Sequence, residues 1–288
     1  MAEKEFLKKI LVPIDQSTSS VMAEEVAADV AKHTGAAVTV LHVVPIGVQY
    51  AQMDLTLSVP DRVVLDEIGG VLEDVGEQAI NNAQALFKQE NVPIETELLK
   101  EHDPADTILE YSRDDFDLIV MGAHGENEKD LYTLGSITKK VMMHTKSPTL
   151  IVKKVTRLTS MLVCTDGSDR SIKALSYAVK LAAKMGSTIT LLHVQDRHLH
   201  EASPKTAQEL SEQIFAKALK AVGTGTVKIE KRLEAGVASD AIVQAAEKWK
   251  HDVIVLSSRG LSTVKRFLLG SVTDDVTQKA RCSVLIVP

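Results

Sequence analysis

The sequence predicts an α/β protein: two doubly wound parallel-sheet domains written one after the other in 288 residues. Three observations predict this. Short runs of Val, Ile and Leu alternate along the chain with longer stretches of helical periodicity. Those runs are apolar throughout, not at every second residue, which marks strands covered on both faces. And the pattern repeats. Lys9-Ile10-Leu11-Val12-Pro13-Ile14-Asp15-Gln16-Ser17 matches Ser160-Met161-Leu162-Val163-Cys164-Thr165-Asp166-Gly167-Ser168, and Val38-Thr39-Val40-Leu41-His42-Val43 matches Ile189-Thr190-Leu191-Leu192-His193-Val194, both at an offset of 151. Asp117-Leu118-Ile119-Val120 matches Asp252-Val253-Ile254-Val255, and Gly125, Gly135 and Ser136 match Gly260, Gly270 and Ser271, at an offset of 135. The chain therefore divides into units 1–155 and 156–288.

The elements of each unit follow in order. A first strand ends in an Asp turn, at Asp15 and again at Asp166. Amphipathic helices over 21–34 and 171–185 stop at Gly35 and Gly186, because glycine past a helix end permits the left-handed backbone. The Leu-His-Val strands come next, then a variable connection and a helix near 71–90 or 206–221. His42 precedes His102 by 60 residues, but His193 precedes its counterpart Gly236 by 43, so the first unit is about 17 residues longer, mostly within 45–75. A strand at 94–99, a short helix near 104–113, a strand at 117–121, a glycine-bearing segment, a helix at 137–145 and a last strand complete the first unit.

Composition bounds the function. The chain is 44% hydrophobic and 25% charged, the balance of a soluble globular protein, and with 3% aromatics its core must be aliphatic. No apolar run reaches the roughly 18–20 residues that span a bilayer. The start, MAEKEFLKKILVPID, lacks a signal-peptide core, so a cytoplasmic protein with no membrane insertion is expected. Cys164 and Cys282 suit a reducing compartment and read as small buried hydrophobes; no Cys/His cluster has zinc spacing, and no metal ligand is assigned. The net charge of −6 argues against a nucleic-acid partner. It divides unevenly: 14 Lys+Arg against 26 Asp+Glu give −12 over 1–155, and 19 against 13 give +6 over the rest. Either the two halves attract one another or solvated surfaces have drifted.

The chemistry lies in MGAHGENEKDLYTLGSITKK, residues 121–140. Gly122, Gly125 and Gly135 follow a strand and precede a helix. In doubly wound sheets ligands bind beyond the carboxyl ends of the strands. Glycine there allows close approach to a ligand, and Ser136 reads as the N-cap of a helix whose free N–H groups favour an anion. Neither G-x-x-x-x-G-K-[ST] nor G-x-G-x-x-G is present.

The spacing Gly122-x2-Gly125-x9-Gly135-Ser136, with the Ile-Leu-Val-Pro-Ile-Asp and Leu-His-Val strands before it, resembles the ATP-binding class of universal stress proteins. The resemblance covers both units, so the chain looks like a tandem member. It implies a Rossmann-like, adenine nucleotide alpha hydrolase-like fold and pairing of the two units through their last strands, an intramolecular pseudo-dimer. Such pairing would also remove an exposed edge strand. It implies ATP, or AMP or ADP, as ligand, with Mg2+ or Mn2+ as companion. By position, Asp15 and Asp166 would meet the ribose and Val43 and Val194 the adenine. Gly122, Gly125, Gly135 and Ser136 would hold phosphates in the first unit, and Gly260, Gly270 and Ser271 in the second. Pro13, Ile14, His124, Ile137, Thr165, Arg259 and Val272 complete the implied nucleotide sites.

The second unit departs from the pattern with Ser257 for the first glycine and Cys164 for Pro13. Its glycine segment carries Arg259, Lys265 and Arg266, whereas the first carries Glu126, Glu128 and Asp130 with Lys129. The intact glycines rank the first unit slightly higher. Blander roles compete: Asp15 and Asp166 as helix caps, His42 and His193 as core or strand-end residues, His124 as a solvated loop residue, Met142, Met143 and Met161 as core, and Asp114-Asp115 as a solvated helix end. No Ser-His-Asp elbow, paired carboxylate or Walker lysine is found, so at most slow ATP hydrolysis and no catalytic residue are expected. Three functions stand: a nucleotide-binding stress or signalling protein, an adenylyl- or phosphoryl-transfer enzyme, or an interaction scaffold with degenerate sites.

Overall fold

The computed structural model describes residues 6–45, 59–101, 103–113, 115–125, 134–155, 157–223, 225, 227–260 and 269–288, with the side chains of 59–68 and 101 left out. Each half is a five-stranded parallel sheet. In the first, β1 (Lys9–Ile14), β2 (Ala37–Pro45), β3 (Ile94–Glu101), β4 (Leu118–Gly122) and β5 (Thr149–Val152) stand in the order β3-β2-β1-β4-β5. In the second, β6 (Ser160–Cys164), β7 (Thr188–Gln195), β8 (Ile229–Ala235), β9 (Val253–Ser257) and β10 (Ser283–Val287) repeat it as β8-β7-β6-β9-β10. The order reverses beside β1 and β6, which opens a crevice at their carboxyl ends.

The halves join through their last strands. β5 and β10 pair antiparallel, with Leu150 opposite Leu285, and ten strands become one sheet. The expected pseudo-dimer is present. Both strands are wholly buried, so neither half keeps an apolar edge there. The outer strands β3 and β8 carry Glu95, Glu97 and Lys100, and Glu230, Lys231 and Arg232, charges that discourage edge-to-edge association.

Helix α1 (Thr18–Thr34) buries Ala23, Val26, Ala27 and Val30, and α5 (Asp169–Met185) buries Ala174, Leu175, Ala178 and Leu181. These faces share one apolar core that crosses the seam. Small residues let the helices approach closely. Tyr177 of α5 donates its hydroxyl to Asp117 O at 3.2 Å, and its ring meets Phe6 edge-on at 4.8 Å. Lys153, just past β5, reaches into the other half. Its Nζ donates to Thr277 O at 2.6 Å and Ala280 O at 2.7 Å, capping the C-terminus of α9 (Ser271–Lys279). Burial pushes this ammonium down to about 8.

Both helix stops hold: Gly35 and Gly186 have φ of 75° and 68°. The helix expected near 71–90 is longer. Helix α2 spans Val59–Gln89, so part of the extra length in the first half extends this helix; 46–58 lie outside the described residues. Pro60 in its first turn is where proline suits a helix. The second half places a short α6 (Arg197–Ala202) and α7 (Pro204–Val222) in the corresponding connection. The remaining helices are α3 (Pro104–Tyr111), α4 (Ser136–His144) and α8 (Ala238–Lys248).

Met142 and Met161 are core, with Met143 half-buried, and Asp115 is exposed. Asp114 lies outside the described residues. Cys164 and Cys282 are buried free thiols. Burial pushes Cys164 far up and Cys282 to about 11, so neither is a thiolate near neutral pH.

Candidate functional site

Each half has a cavity at the carboxyl ends of its strands. The first is about 360 Å³ and the second about 270 Å³. The two are the same construction made twice, with particular parts changed.

The Asp turn comes first. Asp15 Oδ1 accepts the Ser17 N–H at 3.1 Å, and Asp166 Oδ1 accepts the Ser168 N–H at 3.0 Å. The aspartates are not the helix caps. Ser17 and Ser168 are, accepting from Ser20 N and Ser171 N. The other carboxylate oxygen lies against the glycine segment: a Cβ on Gly125 would stand 3.0 Å from Asp15 Oδ2, and one on Gly260 2.6 Å from Asp166 Oδ2. The histidines hold the turn in place. His42 Nδ1 donates to Ile14 O at 2.9 Å and His193 Nδ1 to Thr165 O at 2.8 Å. Each fixes the last peptide before the aspartate. Burial pushes His42 below its ordinary value, so it is neutral at pH 7.

The glycine segment closes at its base. Gly135 N donates to Ala123 O at 2.8 Å, and Gly270 N to Ser258 O at 2.9 Å. Thr138 Oγ1 donates to Gly122 O and Thr273 Oγ1 to Ser257 O, both at 2.9 Å. Residues 126–133 and 261–268 lie outside the described residues, and with them Glu126, Glu128, Lys129, Asp130, Lys265 and Arg266. Ser136 is not the cap expected of it. Gly135 takes the cap position with no side-chain hydrogen bond, and Ser136 is the first helical residue.

Gly122 has a packing role as well. A Cβ there would meet the Ser19 carbonyl carbon at 2.6 Å and its oxygen at 2.7 Å. The glycine lets α1 press its first turn onto the end of β4. Hydroxyls then tie the two together: His124 N donates to Ser19 Oγ at 3.2 Å, and Ser17 Oγ donates to His124 O at 3.3 Å. The second half has Ser257 and Arg170 at these places, so its strand and helix cannot stand in the same relation. Ser257 Oγ donates to Arg259 O at 2.8 Å instead.

The first cavity gathers every residue the sequence nominated there: Pro13, Ile14, Asp15, Val43, Gly122, His124, Gly125, Gly135, Ser136 and Ile137. The second gathers Thr165, Asp166, Val194, Ser257, Gly260, Gly270, Ser271 and Val272. Arg259 does not line it. Ile108 of α3 and Ile242 of α8 close the opposite walls, and Leu72 and Val75 of α2 add an apolar side to the first cavity. The isoleucines occupy matching places in the repeat, a signal the sequence carried. Val75 also accepts a hydrogen bond from Gln16 Nε2. The counterpart of Gln16 is Gly167, whose vacant Cβ position lies 3.0 Å from Ile214 of α7. Among the described residues no group of three His, Cys, Asp or Glu is arranged to hold a metal.

The comparisons agree with this construction. A family model described as the universal stress protein family matches twice, over residues 7–153 and 158–288. A universal stress protein of Methanocaldococcus jannaschii is 34% identical over 136 residues, covering 44% of this chain and 80% of that protein. The universal stress protein YxiE of Bacillus subtilis is 33% identical over 147 residues, covering 44% of this chain and 97% of that one. The crystal structure of a universal stress protein from Archaeoglobus fulgidus covers 99% of both chains with a TM-score of 0.71 at 22% identity, a likeness of fold.

Proposed function

This chain belongs to the universal stress protein family, once in each half, and we propose that it binds adenine nucleotide at its strand ends, with the first cavity as the principal site. One observation carries the proposal. Ten residues spread from 13 to 137, each marked by the sequence pattern, line a single cavity where a doubly wound sheet takes its ligands. The parts suit the chemistry. The glycine segment and the first turn of α4 present backbone N–H groups for phosphate. Asp15 offers an acceptor for hydroxyls, as a ribose has. Val43, Met121 and Ile108 give an apolar flank for a base. A divalent cation would enter with a triphosphate, screening it from Asp15.

The second cavity supports a weaker site. It is smaller, and the hydroxyl of Ser257 is already committed to Arg259 O. The biological role follows as a cytoplasmic stress or signalling protein that reports nucleotide by occupancy rather than by turnover. No helix among the described residues is long and apolar enough to cross a membrane. Isothermal titration with ATP and with AMP, with and without Mg2+, tests the reading. Saturable binding with little hydrolysis over hours is expected. Folded protein that binds neither nucleotide would sink it, and rapid turnover would favour the phosphoryl-transfer alternative.

A further inference from the structure

Glu24 is an acidic residue where the repeat elsewhere has a leucine. It lies on α1 and is 4% exposed; its counterpart Leu175 is fully buried. Its carboxylate accepts a hydrogen bond from Ser20 Oγ at 3.4 Å. The same Oγ accepts the Asp15 N–H at 3.3 Å. Ser20 and Asp15 both line the first cavity. One hydroxyl therefore connects a buried carboxyl group to the cavity wall. In the second half the matching hydroxyl turns elsewhere: Ser171 Oγ donates to Ser168 O at 2.9 Å and meets Thr165 Oγ1 at 3.0 Å.

The electrostatics around Glu24 are one-sided. Burial raises its carboxyl to about 7, opposed by the Ser20 hydrogen bond and assisted by Asp15 and Glu25. Asp15 belongs to the β1–α1 turn and Glu25 to α1 itself. The strands and helices packed against α1, namely β1, β2, β4, β5, α2 and α5, bring no further charge to bear on it among the described residues. An ionised Glu24 is thus a buried negative charge to which, among the described residues, the Ser20 hydroxyl donates. An anion arriving at Gly125, against Asp15, makes that charge costlier still.

We propose that Glu24 couples anion binding in the first cavity to proton uptake: the ligand settles at Gly125 and Ser136 as a proton from solvent settles on the Glu24 carboxylate. No bond to the ligand is made or broken, and the proton returns to solvent when the ligand leaves. The second cavity, with Leu175 in that place, has no such coupling. The proposal rests on the nucleotide reading above and adds to it a pH response that belongs to one half alone.

Titration calorimetry with ATP in two buffers of different ionisation enthalpy counts the protons exchanged. Wild type, Glu24→Leu and Glu24→Gln are compared between pH 6.5 and 8.5. ATP's own phosphate titration is common to all three. Wild type is expected to take up a fraction of a proton more per ATP than either variant near pH 7.5. Its Kd should weaken across the range by about threefold more than theirs. Two replacements guard against one that distorts α1. Equal proton counts and parallel pH profiles in all three chains overturn the coupling while leaving the nucleotide reading intact. ATP that binds none of them overturns the nucleotide reading, and the coupling with it.

Discussion

The two cavities come from one pattern, and they differ most where helix α1 or α5 meets the glycine segment. In the first half three serines, Ser17, Ser19 and Ser20, knit the helix to His124, to the Asp15 peptide and to Glu24. In the second half Arg170 and Leu175 replace two members of that network, and Ser257 makes its hydrogen bond within its own segment. The first helix is thus tied to its glycine segment, whereas in the second half Ser171 of α5 meets Thr165 beside the Asp turn instead. The difference teaches that a duplicated scaffold keeps strand order and turn geometry, while the coupling between site and helix is free to diverge.

The largest expected effect comes from closing the space this tie needs. Gly122→Val drives a side chain into the Ser19 backbone and should cost at least about 3 kcal/mol, lowering Tm by on the order of 6–12 °C. The opposite exchange, Ser257→Gly, removes one hydrogen bond and should cost less than about 1 kcal/mol. Equal losses in calorimetric scans would break the comparison.

Exchanging the helix residues comes next. The folded Glu24 carboxyl titrates at about 7, above its ordinary value of 4.5. The folded state therefore holds its proton more tightly, and the stability this contributes at low pH is lost as pH rises through 7. Glu24→Leu should stabilise the protein increasingly from pH 5 to pH 8, by about 2–3 kcal/mol at the upper end. Leu175→Glu should do the reverse, with its cost growing over the same interval. Denaturant melts at the two pH values check both signs.

Lys153→Met strips donors from the C-terminal carbonyls of α9 and should cost about 1–2 kcal/mol. Hydrogen exchange should quicken at the β5–β10 seam before it does at the outer strands. Smallest is Gln16→Gly. Gln16 has φ of 65° where its counterpart is Gly167. Relief of that backbone offsets the lost bond to Val75, and stability should move by less than about 1 kcal/mol.

Much of this was legible in the sequence. Uniformly apolar runs revealed the strands, their repetition revealed the two units, and the family resemblance implied the β5–β10 seam; the order of the strands was not written along the chain. The nominated residues converged because strand ends in a parallel sheet meet at one place. What stayed hidden involved partners distant along the chain. A glycine shows that something comes close but not what: besides the phosphate contact expected of it, Gly122 makes room for Ser19 of α1. The helix expected near 71–90 in fact starts at Val59 and runs through Gly69 and Gly70, although each glycine weakens a helix by about 1 kcal/mol. Nothing along the chain marks Glu24 as buried, since carboxylates seldom are. Arg259 was nominated beside Gly260 for the charge it adds to the second glycine segment, and it stands outside the lining of that cavity.

The central claim is that the first cavity is the principal nucleotide site. Gly125→Val and Gly260→Val press only on the ends of the Asp15 and Asp166 side chains, which can move aside, so both chains should fold. ATP stoichiometry and Kd by titration calorimetry then decide. The account predicts that Gly125→Val loses the tighter binding event and Gly260→Val keeps it; the reverse pattern, or equal weakening in both, would contradict it.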